Sequence, residues 1–442
     1  MSVIDEVPAS IGQRLVWFLE HYRSDTSVSC PAVFRIRGQL DEPRIMPVLA
    51  SLVARHEALR TTLRRQGRAL VQQIHHPTPP RLDAVELAPG AEPELTRQLS
   101  AELTASIPIE ESPVRFRLWR LGPADRVLCV NMHHLVSDAW SCGVVIDDVI
   151  GLLSGDPAAP PLPPVEWQFR QFARWQHELD RTGALRAHQD HWQRRLQGMR
   201  LPALPGVGQS DLARPRPALA TAVLPGPVGD GLRGLAATSR TTLFSVFLAL
   251  YHGLLHQQTG QTDLAVASFF ANRTRTELAR TVGFLANMLA LRTGFDPAGS
   301  FRELVGQTRR TVLEAVTHQA VPCQMLALPS LLHSPSRLND VVFQMLPDRR
   351  PESWDPTRLA PGLEIDTFRP PQALSRFGLN LTIIPRRDRI DARLSYAGNQ
   401  FPAGWAEGFL AGYTGLAAAA VRDPDRPLTA LLRELVPAPA GG

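Results

Sequence analysis

The segment MHHLVSDAWS sets two adjacent histidines, His133 and His134, four residues ahead of an aspartate, Asp138. Histidine suits proton transfer because its ordinary pKa lies near neutrality. Asp138 can return across the turn to orient an imidazole, or it can pair elsewhere and fix the loop. By itself the pair is weak evidence, and satisfied structural histidines would account for it equally well. The rest of the chain has to decide.

The element that delivers the histidines is RVLCVNM, a strand in which Val127, Leu128 and Val130 form a short buried run. Ser137 and Asp138 are both good helix N-caps, and AWSCGVVIDDVIGLL follows with Trp140, Val144, Val145, Val149 and Leu153 on one helical face. The histidines therefore lie at or just beyond a strand end, where open α/β layers place ligands. Successive side chains on an extended segment point to opposite sides, so only one of the two is expected to do chemistry. For the same reason a metal centre is not expected, since the adjacent rings diverge and no third ligand is placed by spacing. No separate organic cofactor is expected either.

At 442 residues the chain exceeds a usual single core, and 44% hydrophobic with 20% charged residues is ordinary for a globular protein. Two domains or lobes follow. All 47 basic residues are arginine, which excludes a lysine Schiff base and a P-loop lysine. The net charge of +5 is modest, and no long basic run or interleaved stacking aromatics argue for nucleic-acid binding. An acidic protein partner bearing a phosphate stays compatible with so much arginine. Cys30, Cys129, Cys142 and Cys323 show no metal or redox spacing and fit a reducing compartment; Cys142 reads as a packing residue. The N-terminus has no signal-peptide pattern, and LFSVFLALYHGLL is too short to span a bilayer, so a cytoplasmic protein without membrane attachment is expected.

Along the chain, SIGQRLVWFLEHY reads as a capped amphipathic helix with Ile11, Leu15, Phe18 and Leu19 on one face, followed by the strand AVFRIRGQL and the helix IMPVLASLVARHEALRTTL. Strand signals near ALVQQIHH and PVRFRLWRL precede the histidine strand. GDPAAPPLPP is a stiff joint, the helical stretch WQFRQFARWQHELDRTGALRAHQDHWQRRL comes next, and residues 201 to 231 are Pro/Gly-rich. Composition thus divides the chain into 1–176, a connection at 177–228, and 229–442. The last part supplies a buried helix TTLFSVFLALYHGLLHQQTG, the strands DLAVASFF, DVVFQML, LNLTIIP and IDARLSYA, the helix FRELVGQTRRTVLEAVTHQ, and a closing helix after Pro402.

Taken in order, these segments resemble the condensation domain family of non-ribosomal peptide synthetases, from Ser10 to about Leu428. SIGQRLVWF resembles the opening motif through Ser10, Gln13 and Trp17, with Leu15 where arginine is usual. RHEALRTTL is close to a full match for the second motif, and MHHLVSDAWS matches HHxxxDG except that Ala139 replaces the glycine. FRQFARW carries Gln171 in place of an aspartate; VGFLANMLALR keeps Gly283, Phe284, Asn287 and Arg292. THQAVPCQML is weaker, with His318, Gln319, Val321 and Pro322 kept, and SPSRLNDVVFQM is partial.

The resemblance implies an α/β fold of two chloramphenicol-acetyltransferase-like lobes, a V-shaped pseudo-dimer with a central tunnel. It implies acyl or peptidyl carrier proteins acting in trans, each presenting a phosphopantetheine arm, with His134 as base or positioning group and His133 behind it. The acceptor would be an amine or a hydroxyl, small or carrier-bound. Asp138 would pair with Arg273 from the second half and fasten the loop, although Arg273 could also be a solvated surface charge. Ala139 and Trp140 are expected along the substrate channel, and a Cβ at 139 would strain the chain if φ were positive there. With no adenylation or carrier segment in the sequence, a free-standing enzyme is expected. Alternatives are a non-catalytic recruitment domain of the same fold and an acyltransferase using free acyl-coenzyme A; an extra acidic epimerase signature is not found.

Overall fold

The computed structural model describes residues 2–22, 29–154, 161–204, 216–322, 326, 340–346, 362–367, 377–386 and 388–435. The expectations falling on 155–160, 205–215, 323–324 and 334–339 lie outside the described residues. The chain forms two compact units, one of Met1–Ala184, Ala271–Ala286 and Arg349–Pro371, the other of Leu185–Phe270, Asn287–Asp348 and Gln372–Gly442. This differs from the contiguous division that composition suggests. Pro/Gly-rich joints mark where a chain bends, but they carry no signal for a short segment whose partners lie more than a hundred residues away.

In the first unit, β1 (Val3–Pro8), β4 (Ala69–His75) and β3 (Thr61–Gln66) make a small antiparallel sheet, with α1 (Ile11–Tyr22) following β1. The larger sheet runs in the order β12 (Leu363–Thr367), β2 (Ser29–Gly38), β7 (Asp125–His133), β6 (Val114–Gly122), β5 (Leu82–Glu86). Its faces follow the alternation of β7. Leu128, Val130 and Met132 pack with α2 (Ile45–Arg55) and α4 (Ala139–Ser154), whereas Val127 and Cys129 pack with Leu95 and Leu99 of α3 (Glu92–Thr104). Gly38, at φ 102°, accepts the close approach of β12, where a Cβ would lie 1.8 Å from the Gly362 carbonyl oxygen.

Some elements differ from their sequence reading. The helix expected through RHEALRTTL stops at Arg55, because His56 is extended and its ring is drawn to Asp148; a 3-10 turn and β3 follow. The long helical stretch is two helices, α5 (Phe169–Arg181) and α6 (Arg186–Leu196), separated at Gly183 with φ 73°. Phe18 is half exposed, since α1 is anchored through its first turn.

The second unit holds a mixed sheet of β10 (Asn287–Gly294), β9 (Asp263–Phe270), β11 (Val341–Met345), β13 (Leu379–Pro385), β14 (Ile390–Ala397) and β8 (Pro217–Leu224), in that order. Its core helix, α8 (Leu243–Thr259), is buried from Ser245 to Leu255 and packs against α7 (Gly226–Thr238), α9 (Phe301–Thr317) and α10 (Ala403–Arg422). Thr242 caps its start and Gly260, left-handed at φ 68°, ends it. No helix among the described residues is long and apolar enough to cross a membrane.

Candidate active site

β7 ends on His133, a 3-10 turn covers His134–Val136, and α4 begins at Ala139. The change from extended to helical backbone separates the two histidines. His133 is 4% exposed; its Nδ1 accepts from the Leu135 amide at 3.1 Å, and its carbonyl accepts from the Ser137 hydroxyl at 2.9 Å. It is therefore part of the turn's framework. His134 is only half-buried, with Nδ1 at 2.7 Å from the Ser137 carbonyl oxygen.

A carbonyl can only accept, so Nδ1 of His134 carries the hydrogen and Nε2 of the neutral ring carries the lone pair. Among the described residues no hydrogen bond reaches Nε2. The Cys30 thiol sulfur lies 3.2 Å from Nδ1, and Phe284 meets the ring edge-on at 5.0 Å between centroids. Gly12 makes room for that phenyl ring, since a Cβ there would come within 2.9 Å of it. Gln13 fixes the turn from the other side by donating to the Leu135 carbonyl at 2.8 Å, and it is itself in a reciprocal cap with Ser10.

Asp138 does not reach the imidazole. Its Oδ1 accepts from the Ser141 amide and from Arg273 Nη2 at 2.8 and 3.2 Å; Oδ2 accepts from Arg273 Nη1 at 3.1 Å and from the amides of Leu285 and Ala286 at 3.1 and 3.2 Å. It thus caps α4 and ties the Ala271–Ala286 segment to that helix. Burial pushes its carboxyl up, but the Arg273 charge and the Ser141 hydrogen bonds outweigh this and hold it below the ordinary value. Arg273 has a 5% exposed side chain and also donates to the carbonyls of Ala271 and Thr281, so it is not a solvated surface charge. Asn272, left-handed at φ 52°, makes the turn that aims it.

Ala139 is the first residue of α4 and is exposed. The non-glycine residues with positive φ are Arg240 and Asn272 among those described, so a Cβ at 139 meets no backbone strain of that kind. Trp140, read as part of the apolar face, is instead 48% exposed: its ring lies under the Arg273 guanidinium at 5.4 Å and its Nε1 donates to the Ala279 carbonyl at 2.9 Å.

The second motif works one layer deeper. Arg55 Nε and His56 Nε2 sit 2.8 and 2.7 Å from Asp148 Oδ2 on α4, and Arg280 engages the other carboxylate oxygen. Gly283 lies against Phe169, with a Cβ placed 2.0 Å from that ring, in a cluster with Phe172, Leu278 and Leu285. Arg292 is held by Asp263 in the second unit. Sequence reasoning did not single out Cys30, Ser141 or Asn272; only Asn272 left a signal, as a residue that tolerates the left-handed turn. No group of three or more metal-ligating side chains occurs among the described residues.

Comparison with known proteins shows the family and the fold. The model of the Condensation domain family matches residues 3–433. A linear gramicidin synthase of Brevibacillus parabrevis is 32% identical over 424 residues, 88% of this chain, and the chain spans 5% of that protein's length. Among solved structures, the X-domain from teicoplanin biosynthesis has a TM-score of 0.83 at 23% identity, covering 97% of this chain and 98% of that one, a likeness of fold. The SgcC5 protein from Streptomyces globisporus has a TM-score of 0.76 at 28% identity, covering 95% of this chain and all of that one. The family model that matches nearly the whole chain, with a synthetase relative at 32% identity, places the chain in the condensation domain family of non-ribosomal peptide synthetases.

Proposed function

We propose that the chain transfers an acyl or aminoacyl group from a carrier-protein thioester to an amine or hydroxyl acceptor, with His134 Nε2 receiving the acceptor's proton. The observation that carries this is the ring's tautomer: Nδ1–H is committed to the Ser137 carbonyl, which leaves Nε2 as a base with no partner among the described residues. The acceptor's nitrogen or oxygen bonds to the thioester carbonyl, the C–S bond breaks, and the proton passes through His134 to the departing phosphopantetheine thiol. The thioester arm belongs to the substrate, and the protein needs no cofactor of its own. Holding both reactants in place supplies much of the acceleration.

Asp138 and Arg273 take no part in the proton transfer and keep the turn in place. Ala139 and Trp140, exposed at the start of α4, form the rim past which substrate reaches the ring. A hydroxyl acceptor gains support from the SgcC5 structure, a complex with 1-(2-naphthyl)-1,2-ethanediol and sucrose.

The test is to incubate the protein with carrier proteins loaded with acetyl, aromatic or aminoacyl thioesters and with amine and 1,2-diol acceptors, following products by mass spectrometry. Amide or ester product is expected from at least one carrier-bound donor. Product from free coenzyme A thioesters alone would move the chain to coenzyme-dependent acyl transfer, and no product from any donor would favour pure recruitment.

A further inference from the structure

The proposed reaction leaves unused a thiol that touches the reacting ring. Cys30 is the second residue of β2 and stands opposite Met132 on β7, so its side chain shares the sheet face of Met132. There it packs at the edge of the core that α2 and α4 cover. Its Sγ lies 3.2 Å from His134 Nδ1 and 4.0 Å from the Ser137 carbonyl oxygen that binds the same nitrogen. Of the cysteines among the described residues it is the one not buried; Cys129 and Cys142 are enclosed.

We propose that Cys30 is a positioning residue for His134: its sulfur and the Ser137 carbonyl together grip the Nδ1–H edge, while Phe284 backs the ring, so that the imidazole keeps one tautomer and one orientation. The place that a carboxylate occupies in a Ser-His-Asp triad is filled here by two neutral acceptors. Asp138 cannot fill it, because both of its oxygens are engaged by Arg273 and by amides. Among the described residues, the other groups that engage this turn are also neutral or closed on themselves. His133 accepts from the Leu135 amide, Gln13 reaches in from α1 to the Leu135 carbonyl, and the Asp138–Arg273 pair is self-satisfied. Sulfur is a weak acceptor, so it restrains the ring without adding charge.

The consequence for turnover rests on the reading of His134 as the reacting base; the contact itself does not, and it is tested without substrate. The full chain, labelled with 13C and 15N histidine, is titrated by NMR, with the His134 signals assigned by their loss in His134→Ala. Nitrogen shifts of the wild type are expected to report the Nδ1–H tautomer. Cys30→Asp is expected to move the His134 midpoint upward by about one to three pH units, as an opposite charge at this range does. Cys30→Ala is expected to mix the tautomer signals, and Cys30→Ser to restore them.

Identical tautomer signals in the wild type and Cys30→Ala would overturn the proposal, whatever the aspartate variant does, since that variant reports only proximity. Should the aspartate variant fail to fold, the alanine and serine pair decides by tautomer alone. If turnover survives His134→Ala while Cys30→Ala still mixes the tautomer signals and Cys30→Ser restores them, the positioning role stands and the catalytic reading fails.

Discussion

At the scale of residues, the site separates the imidazole that faces outward from the charges that hold its turn. Asp138 and Arg273 satisfy one another inside the protein, so removing one strands the other. Arg273→Ala is expected to lower stability by about 3–5 kcal/mol in chemical denaturation. Arg273→Lys should recover only part of it, because one ammonium cannot reach both carboxylate oxygens and the carbonyls of Ala271 and Thr281. His134 and Asp138 were legible from the spacing of one local motif, and Arg273 only through the family resemblance, since its carboxylate lies 135 residues away. Cys30 was not: its partner is 104 residues away, and pairing between β2 and β7 alone brings them together. Ala139 misled in the other direction. As an ordinary first helical residue it should tolerate return to glycine with a loss of up to about 1 kcal/mol, measured by thermal melting, rather than a gain.

At the scale of elements, periodicity and caps located α1, α4, α8 and α9, whereas β8 was hidden in a stretch read as Pro/Gly-rich connection. An edge strand half-exposed along its length shows only a faint alternation. Close approaches between elements were also invisible, since a glycine does not announce what packs on it. Gly12→Ala is expected to push Phe284 away from the His134 ring and to lower turnover several-fold with little change in melting temperature. α8 holds a second consequence of burial. Neither His252 nitrogen has a hydrogen-bond partner among the described residues, and burial pushes its pKa down to about 3. The folded chain then keeps this ring neutral while the unfolded chain protonates it below about pH 6.5. Stability from this group is therefore complete above that pH and is lost as pH falls toward 3, by about 2 kcal/mol at pH 5. His252→Leu should raise stability by about 1–3 kcal/mol at neutral pH and by more at pH 5. Equal denaturation midpoints for variant and wild type at both pH values would contradict this.

At the scale of the whole molecule, the ordered series of motifs identified the family, and the family match and the fold agree with it. What composition could not show is that Ala271–Ala286 and the strand Leu363–Thr367 fold with the first unit. Their reasons are long-range: Arg273 and Arg280 find their carboxylates on and beside α4, and β12 pairs with β2. The molecule thus spends one segment of its second half, Ala271–Ala286, on bracing a turn of its first, and another, Leu363–Thr367, on extending the sheet that carries it. That bracing matters only if the ring it presents is the group that moves the proton. The direct measurement is the single-turnover rate of acyl transfer from a loaded carrier protein, compared between wild type and His134→Ala with circular dichroism confirming the fold of both. A loss of about 10²–10⁴-fold is expected; an unchanged rate would contradict the account.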